Sequence, residues 1–263
     1  MTDLLQLVVR ITTASNADEA WKLGTAFFAS LGFQRVNYGF TRFRSLRSVG
    51  DPDDALFLST CDSDYVNRYF RGKFFARTPV YHWAERNVGA CTWAWVKGAA
   101  LEGRLTHDEL ASVKENQRIG VTSGITISFP ENSVRSKGAL GLIADIGMSD
   151  QDVEDIWAKS RNEIESVAQV LHLKLIQFPI ASGTRPLTQR QREVLEWVAD
   201  GKTSQDVATI LGISTAMIEK HLRLAREVLC VDTTTQAVAK AALLNLIFNS
   251  DPEGQDRVAI AAG

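Results

Sequence analysis

The chain has 263 residues, 45% of them hydrophobic and 23% charged, with a formal net charge of -2. That balance excludes wholesale disorder and allows one large domain or two ordinary ones with a sizeable core. It does not advertise nucleic-acid binding as a strongly basic chain would, although an average conceals any basic face. Cys61, Cys91 and Cys230 are odd in number and lack Cys-x-x-Cys spacing, which argues against a disulfide frame or a zinc site, so no metal is expected. Met1 to Arg10 places Asp3 ahead of its first base, the reverse of a secretory leader, and no run reaches the roughly 18 apolar residues of a spanning helix. A cytoplasmic location away from membranes is the expectation.

In chain order, Ile11 to Leu31 carries apolar residues at helical spacing, with Asn16 and Glu19 resembling a capped start. Arg35 to Phe43 alternates as a half-buried strand with Val36, Tyr38, Phe40 and Arg42 on one face, and Ala55 to Thr60 is a second strand after the polar turn Ser45 to Asp54. The stretch from Cys61 to Trp95 is aromatic-rich and poor in strand signals, with a helical pattern over Asp62 to Gly72. A Thr106/Glu109 capping box opens a helix to Ile119, and Thr122 to Phe129 and Gly138 to Asp145 are β-rich. Ser149 to Leu175 reads as one long helix whose buried stripe runs through Val153, Ile156, Ile164, Val167, Leu171 and Leu175. Helices before, within and after antiparallel strands predict an α+β chain: an N-terminal α-β-α sandwich over 1–178, then a different C-terminal unit.

Two prolines and small polar residues make 179–186 a linker. From 187 to 249 only short helices are expected, and 250–263 lacks a packing pattern and is expected to be disordered. A helix from Gln189 to Asp200, started by Thr188 with Gln191 and stopped by Gly201, buries Val194, Leu195 and Val198. Ser204 caps a second, whose inner face is Val207, Ile210 and Leu211. Ser214 caps a third, Thr215 to Leu229, with Ile218, Leu222, Ala225 and Leu229 inward. That leaves Thr215, Ala216, Glu219, Lys220 and Arg223 for base edges, with Lys202, Thr203 and Ser204 at the start of the second helix facing phosphates.

The run LTQRQREVLEWVADGKTSQDVA from Leu187 to Ala208, then Leu211-Gly212-Ile213-Ser214, His221-Leu222 and Thr235 to Ala239, closely resembles the LuxR-type helix-turn-helix. The resemblance implies an all-α four-helix DNA-binding domain whose last helix, about Thr235 to Phe248, pairs two subunits on a roughly palindromic operator in double-stranded DNA. Departures from the family pattern are Gln191 for Glu, Met217 for Thr, Leu224 for Asn, Val228 for Lys, and Asp232 for a basic or amide residue. Between Arg185 and Asn249 there are 8 Lys or Arg against 7 Asp or Glu, so binding by one copy is expected to be weak.

The aromatic-rich segment resembles, in turn, the autoinducer-binding domain of LuxR quorum-sensing regulators, which take acylated homoserine lactones between sheet and helices. Tyr65, Tyr69, Thr78-Pro79, Trp93 and Gly124 hold the spacing, with Cys61 beside them. At Tyr65 the family usually has a Trp that donates to the lactone carbonyl, and at Thr78 an Asp that accepts from the ligand amide. A neutral hydroxyl accepts more weakly than a carboxylate, by about 1 kcal/mol or more. The signal is therefore an acyl-homoserine lactone, another small apolar molecule, or none, and no cofactor is implied. Plain core packing accounts equally for many of these aromatics.

There is no P-loop, no receiver-like alternation of strands and helices, and no nucleophile elbow, and His82, His107, His172 and His221 are scattered, so no catalysis is expected. The reading is a dimeric, ligand-responsive regulator. A ligand-independent regulator, and an interaction protein that forms a heterodimer with a related regulator and sequesters it, stand beside it.

Overall fold

The computed structural model describes residues 2–45, 54–131, 133–180 and 186–249. Most of the expected linker, the tail and most of the turn between the first two strands fall outside these residues.

The chain does not run as one helix from Ile11 to Leu31. Helix α1 (Thr2–Thr13) and α2 (Ala17–Ser30) are separated where Asn16 Oδ1 accepts from the Glu19 amide at 2.8 Å while Glu19 Oε2 accepts from the Ser15 amide at 2.8 Å. These reciprocal bonds satisfy amides that have no partner within α2, so the break is fixed by the cap. Strands β1 (Arg35–Thr41) and β2 (Ala55–Ser59) follow. Helix α3 (Ser63–Val66) continues into a π-helical turn (Asn67–Arg71), and a 3-10 turn (Phe74–Arg77) leads to α4 (Pro79–Arg86). Next come β3 (Gly89–Thr92), α5 (Ala94–Leu101), α6 (His107–Arg118), β4 (Gly124–Ser128), β5 (Lys137–Ile143) and α7 (Asp150–Leu175). Strand β3, inside the stretch poor in strand signals, pairs with β4 at the sheet edge.

The sheet order is β2-β1-β5-β4-β3, antiparallel throughout. Because strand side chains alternate, Val36, Tyr38, Phe40, Leu56, Leu58, Ile125, Ile127, Leu140 and Leu142 form one face, buried with α2 and α7 through Trp21, Phe28, Ile164, Val167 and Leu171. His172 belongs to this core: its Nδ1 and the Tyr38 phenol lie 2.9 Å apart, its Nε2 is 3.2 Å from Glu131 Oε1, and its ring stacks on Phe129. It is a core histidine, held on one side by the Tyr38 phenol and set beside the Glu131 carboxylate on the other. The opposite sheet face is covered by α3 to α6, completing the sandwich.

The C-terminal bundle comprises α8 (Gln189–Ala199), α9 (Ser204–Leu211), α10 (Thr215–Leu229) and α11 (Thr234–Leu243) around Val194, Leu195, Val207, Ile218, Leu222, Ala225, Leu229, Ala237 and Ala241. Thr203, not Ser204, caps α9: its hydroxyl accepts from the Asp206 amide and the Asp206 carboxylate accepts from Thr203 N. Ile210 is 45% exposed and Ala208 takes its expected inward place, because Val207, Ala208 and Leu211 share an arc about 100° wide that Ile210 misses. The last helix ends at Leu243 rather than Phe248, where Asn245 turns to φ 55° and its side-chain amide donates to Ile176 O at 2.8 Å. No helix among the described residues is long and apolar enough to cross a membrane.

Candidate ligand pocket and nucleic-acid face

On the α3–α6 side of the sheet the alternate residues are small. Gly39 pairs with Ala139 and Asn37 with Gly141 across β1 and β5, with Thr41, Ala55 and Thr126 on the same face. Small cross-strand pairs leave a void that the helices roof with Tyr65, Tyr69, Phe70, Phe75, Trp93, Val96, Val113 and Val121. The empty space comes to about 160 Å³. It runs along β5 from Ile143 to Lys137, about 20 Å at strand rise.

The polar atoms of this pocket are mostly spoken for. Asn37 Nδ2 donates to the Tyr65 phenol oxygen at 2.9 Å and its Oδ1 accepts from Ser59 Oγ at 2.7 Å, which leaves the Tyr65 proton free to donate. Trp93 Nε1 donates to Thr126 Oγ1 at 2.8 Å, so it is the threonine hydroxyl that has a proton to offer. Thr78 caps α4: Oγ1 donates to Phe75 O at 2.8 Å and accepts from the Tyr81 amide at 3.3 Å, with Pro79 in the first helical turn. Burial raises the Tyr65 and Tyr69 phenols well above the ordinary value, so both remain protonated donors. The two rings stack at 5.3 Å.

Of the residues singled out in the sequence, Tyr65, Tyr69, Thr78, Pro79 and Trp93 come together in the wall. Cys61 packs behind it against the cluster of Tyr65, Val121 and Ile143, with burial pushing its thiol up. Gly124 also stands outside the wall and acts through fit: a Cβ there would lie 2.2 Å from Leu142 O and 3.0 Å from the Trp93 ring, so its bareness seats Trp93. Asn37, Thr126 and Asn116 were not singled out. The signal for the first two is the unused half of an alternating strand, whose small residues mark the face that makes room.

At the bundle, Ala216, Glu219, Lys220 and Arg223 of α10 are exposed and Thr215 half-buried, while Ile218 and Leu222 are sealed inside. Lys202 and Thr203 are exposed and Ser204 half-buried at the start of α9. Ser204 Oγ donates to Glu219 Oε1 at 2.6 Å and Thr215 Oγ1 donates to Gln205 Oε1 at 3.2 Å, which brings the start of α9 against the first half of α10. Arg223 forms an ion pair with Glu227 one turn on. Bonds from the Thr203 side chain and backbone hold the Asp206 carboxyl below its ordinary value, placing an anion at the start of α9.

Residues 16–175 match the model of the autoinducer binding domain, and 185–241 match that of the bacterial regulatory proteins of the luxR family. The chain belongs to the LuxR family of autoinducer-binding transcriptional regulators. Family members act by binding DNA rather than by catalysis. The transcriptional activator AnoR of Acinetobacter nosocomialis is 21% identical over 245 residues, covering 92% of this chain and 97% of its own length. The quorum-sensing regulator RhlR of Pseudomonas aeruginosa is 36% identical over 98 residues, covering 36% of this chain and 39% of its own. Among solved structures, Escherichia coli SdiA superposes with a TM-score of 0.50 at 18% identity, covering 94% of this chain and 99% of SdiA. CepR2 of Burkholderia cenocepacia gives 0.51 at 18%, covering 66% of this chain and 94% of CepR2. At that identity the structures share the fold. Against the LuxR pattern, the departure at Gln191 preserves the local structure, since its Oε1 accepts from the Thr188 amide at 2.8 Å and closes the capping box that Glu would close.

Proposed function

We propose that this LuxR-family chain is a dimeric, ligand-responsive regulator in which a small apolar signal fills the pocket against β1 and β5, and the bundle reads an operator through α10. The observation that carries this reading is a void lined by aromatics with a few hydroxyl donors, in a chain whose α10 leaves a polar flank free. CepR2 is described as dependent on N-acylhomoserine lactone, which makes that class the first to try. The domains of this reading are 1–178 for sensing and 187–249 for DNA, in a protein of the cytoplasm.

A ligand that binds only the folded chain stabilises it by mass action, so melting with a panel of acylated lactones tests the sensing half. Gel shifts on promoter fragments, with size-exclusion of the protein–DNA complex, test the dimeric reading half. No stabilisation by any ligand together with no DNA retention in either state ends the proposal.

One observation favours a second reading. Glu219 and Glu227 set two anions beside Lys220 and Arg223, so the α10 flank offers little net charge to phosphates. An interaction protein that pairs with a related regulator and keeps it off DNA needs no such charge. Salt-sensitive operator binding by this chain alone excludes that alternative.

A further inference from the structure

We infer that Arg68 is a positioning residue for the pocket: its guanidinium ties the Tyr65 ring to α6 from behind the wall and so sets where the Tyr65 hydroxyl points. This rests on the pocket reading above and adds to it a residue that does not itself line the space.

Arg68 stands in the π-helical turn Asn67–Arg71, whose wide winding closes where the Gly72 amide donates to Asn67 O at 2.8 Å. Single turns of this kind recur at functional sites. Here the turn brings separate pieces of the roof to one group. Arg68 Nη1 pairs with Glu115 Oε1 of α6 at 2.7 Å, and Glu115 stands between Val113 and Gln117, which line the pocket. The guanidinium carbon lies 4.6 Å from the centre of the Phe74 ring, in the 3-10 turn, and 5.6 Å from that of Tyr65.

Arg68 Nη2 is buried with no hydrogen-bond partner among the described residues. A buried cationic N–H without an acceptor is costly, and the negative faces of the two neighbouring rings offset that cost. With both side chains partly exposed, the ion pair with Glu115 contributes little to stability by itself. Its consequence is geometric, because it fixes the plane of the cation against which the Tyr65 ring rests. The other holds on Tyr65 come from the sheet, where Asn37 Nδ2 donates to its oxygen at 2.9 Å, and from Tyr69, stacked at 5.3 Å. Arg68 adds the tie to α6. Its charge also acts against burial on the Tyr65 phenol, which sharpens the hydroxyl as a donor into the pocket.

The test is a double-mutant cycle on the full chain, with N-hexanoyl-homoserine lactone as the probe, titrated calorimetrically. Arg68→Met keeps an unbranched stem and drops the charge, Arg68→Lys keeps the charge, and Tyr65→Phe keeps the ring and drops the hydroxyl. Arg68→Met is expected to weaken binding about fivefold in the native background, the scale of one cation–π contact, and less than about twofold beside Tyr65→Phe. Arg68→Lys is expected to recover most of the loss. Weakening by the same factor in both backgrounds overturns the inference and leaves the pocket reading standing, since a residue that acts through packing alone does not sense the hydroxyl. Native affinity in Arg68→Met overturns it in the same way. No binding of the lactone by the native chain overturns the inference together with the pocket reading for that ligand.

Discussion

Gly124 and Gly141 are bare for opposite reasons, and substituting each separates what holds the fold from what makes the pocket. At Gly124 an added Cβ meets Leu142 O at 2.2 Å, a backbone atom that cannot step aside. Gly124→Ala is expected to destabilise the chain by about 3 kcal/mol in urea unfolding, the scale of an overpacked core site. At Gly141 the nearest atom to an added Cβ is Asn37 O at 3.9 Å, and the space beyond is the void. Gly141→Val adds a β-favouring side chain to a strand interior, so its melting temperature is expected to hold or rise while ligand-induced stabilisation disappears. A destabilised Gly141→Val that still responds to ligand would contradict this account. Glu109 gives a pH signature on the roof of the same pocket. Burial acts to raise its carboxyl, but bonds from His82 at 2.7 Å and from Thr106 outweigh it and hold the group below 4.5. A depressed folded value adds stability that is present above the unfolded value and is lost as pH falls through the folded one. Glu109→Gln keeps the capping box and removes the charge, so its stability deficit is expected in full above pH 4.5 and to close below it, read by unfolding at a series of pH values.

Helix starts were the most legible elements, because a cap is a local bargain between three residues. Asn16/Glu19, Thr106/Glu109, Thr188/Gln191 and Ser214 all cap where the sequence places them. At α9 two hydroxyls stand side by side, and the choice fell to Thr203 because Asp206, three residues on, returns the bond, whereas Ser204 is drawn to Glu219 on another helix. Thr203→Ala is accordingly expected to cost about 1 kcal/mol in denaturant unfolding, and Ser204→Ala less than about 0.5. The pocket was half legible: spacing picked out the aromatic roof, but the floor is the quieter face of β1 and β5, where small residues give no hydrophobic signal. Where α11 ends was not legible, since Asn245 turns the chain to reach Ile176, far away in sequence. On α10 the stripe and the free flank were readable from periodicity, while the Arg223–Glu227 pair that blunts the flank needed the helix to form. Glu227→Gln is expected to tighten operator binding and steepen its salt dependence by about one phosphate contact, measured by anisotropy titration across salt concentrations. An unchanged slope would place Arg223 away from the duplex.

At the scale of the molecule, the ends of β1 and β2 face two ways. Thr41 and Ala55 line the pocket, and their sequence neighbours Arg42 and Asp54 grip the bundle. The Arg42 guanidinium donates to Leu243 O, to Asn245 Oδ1 at 3.1 Å and to Ile176 O at 2.8 Å, while Lys240 of α11 meets Asp54 at 2.7 Å with both side chains largely buried. Ile180 N donates to Leu244 O at 2.9 Å, and Leu244 is packed in the core of the sandwich. A ligand that stiffens the strand ends thereby bears on the position of α11 within the same chain, with no residue shared between the two sites. Arg42→Ala removes three hydrogen bonds, of which only that to Ile176 O is duplicated, by the Asn245 side-chain amide, and is expected to loosen this junction while leaving each core intact. In calorimetry the native chain with ligand should melt in one transition that moves as a whole. The variant should show two, of which only the sandwich transition rises with ligand concentration. A single transition that keeps its full ligand shift in Arg42→Ala would mean that the junction is passive and that any signal travels through the linker.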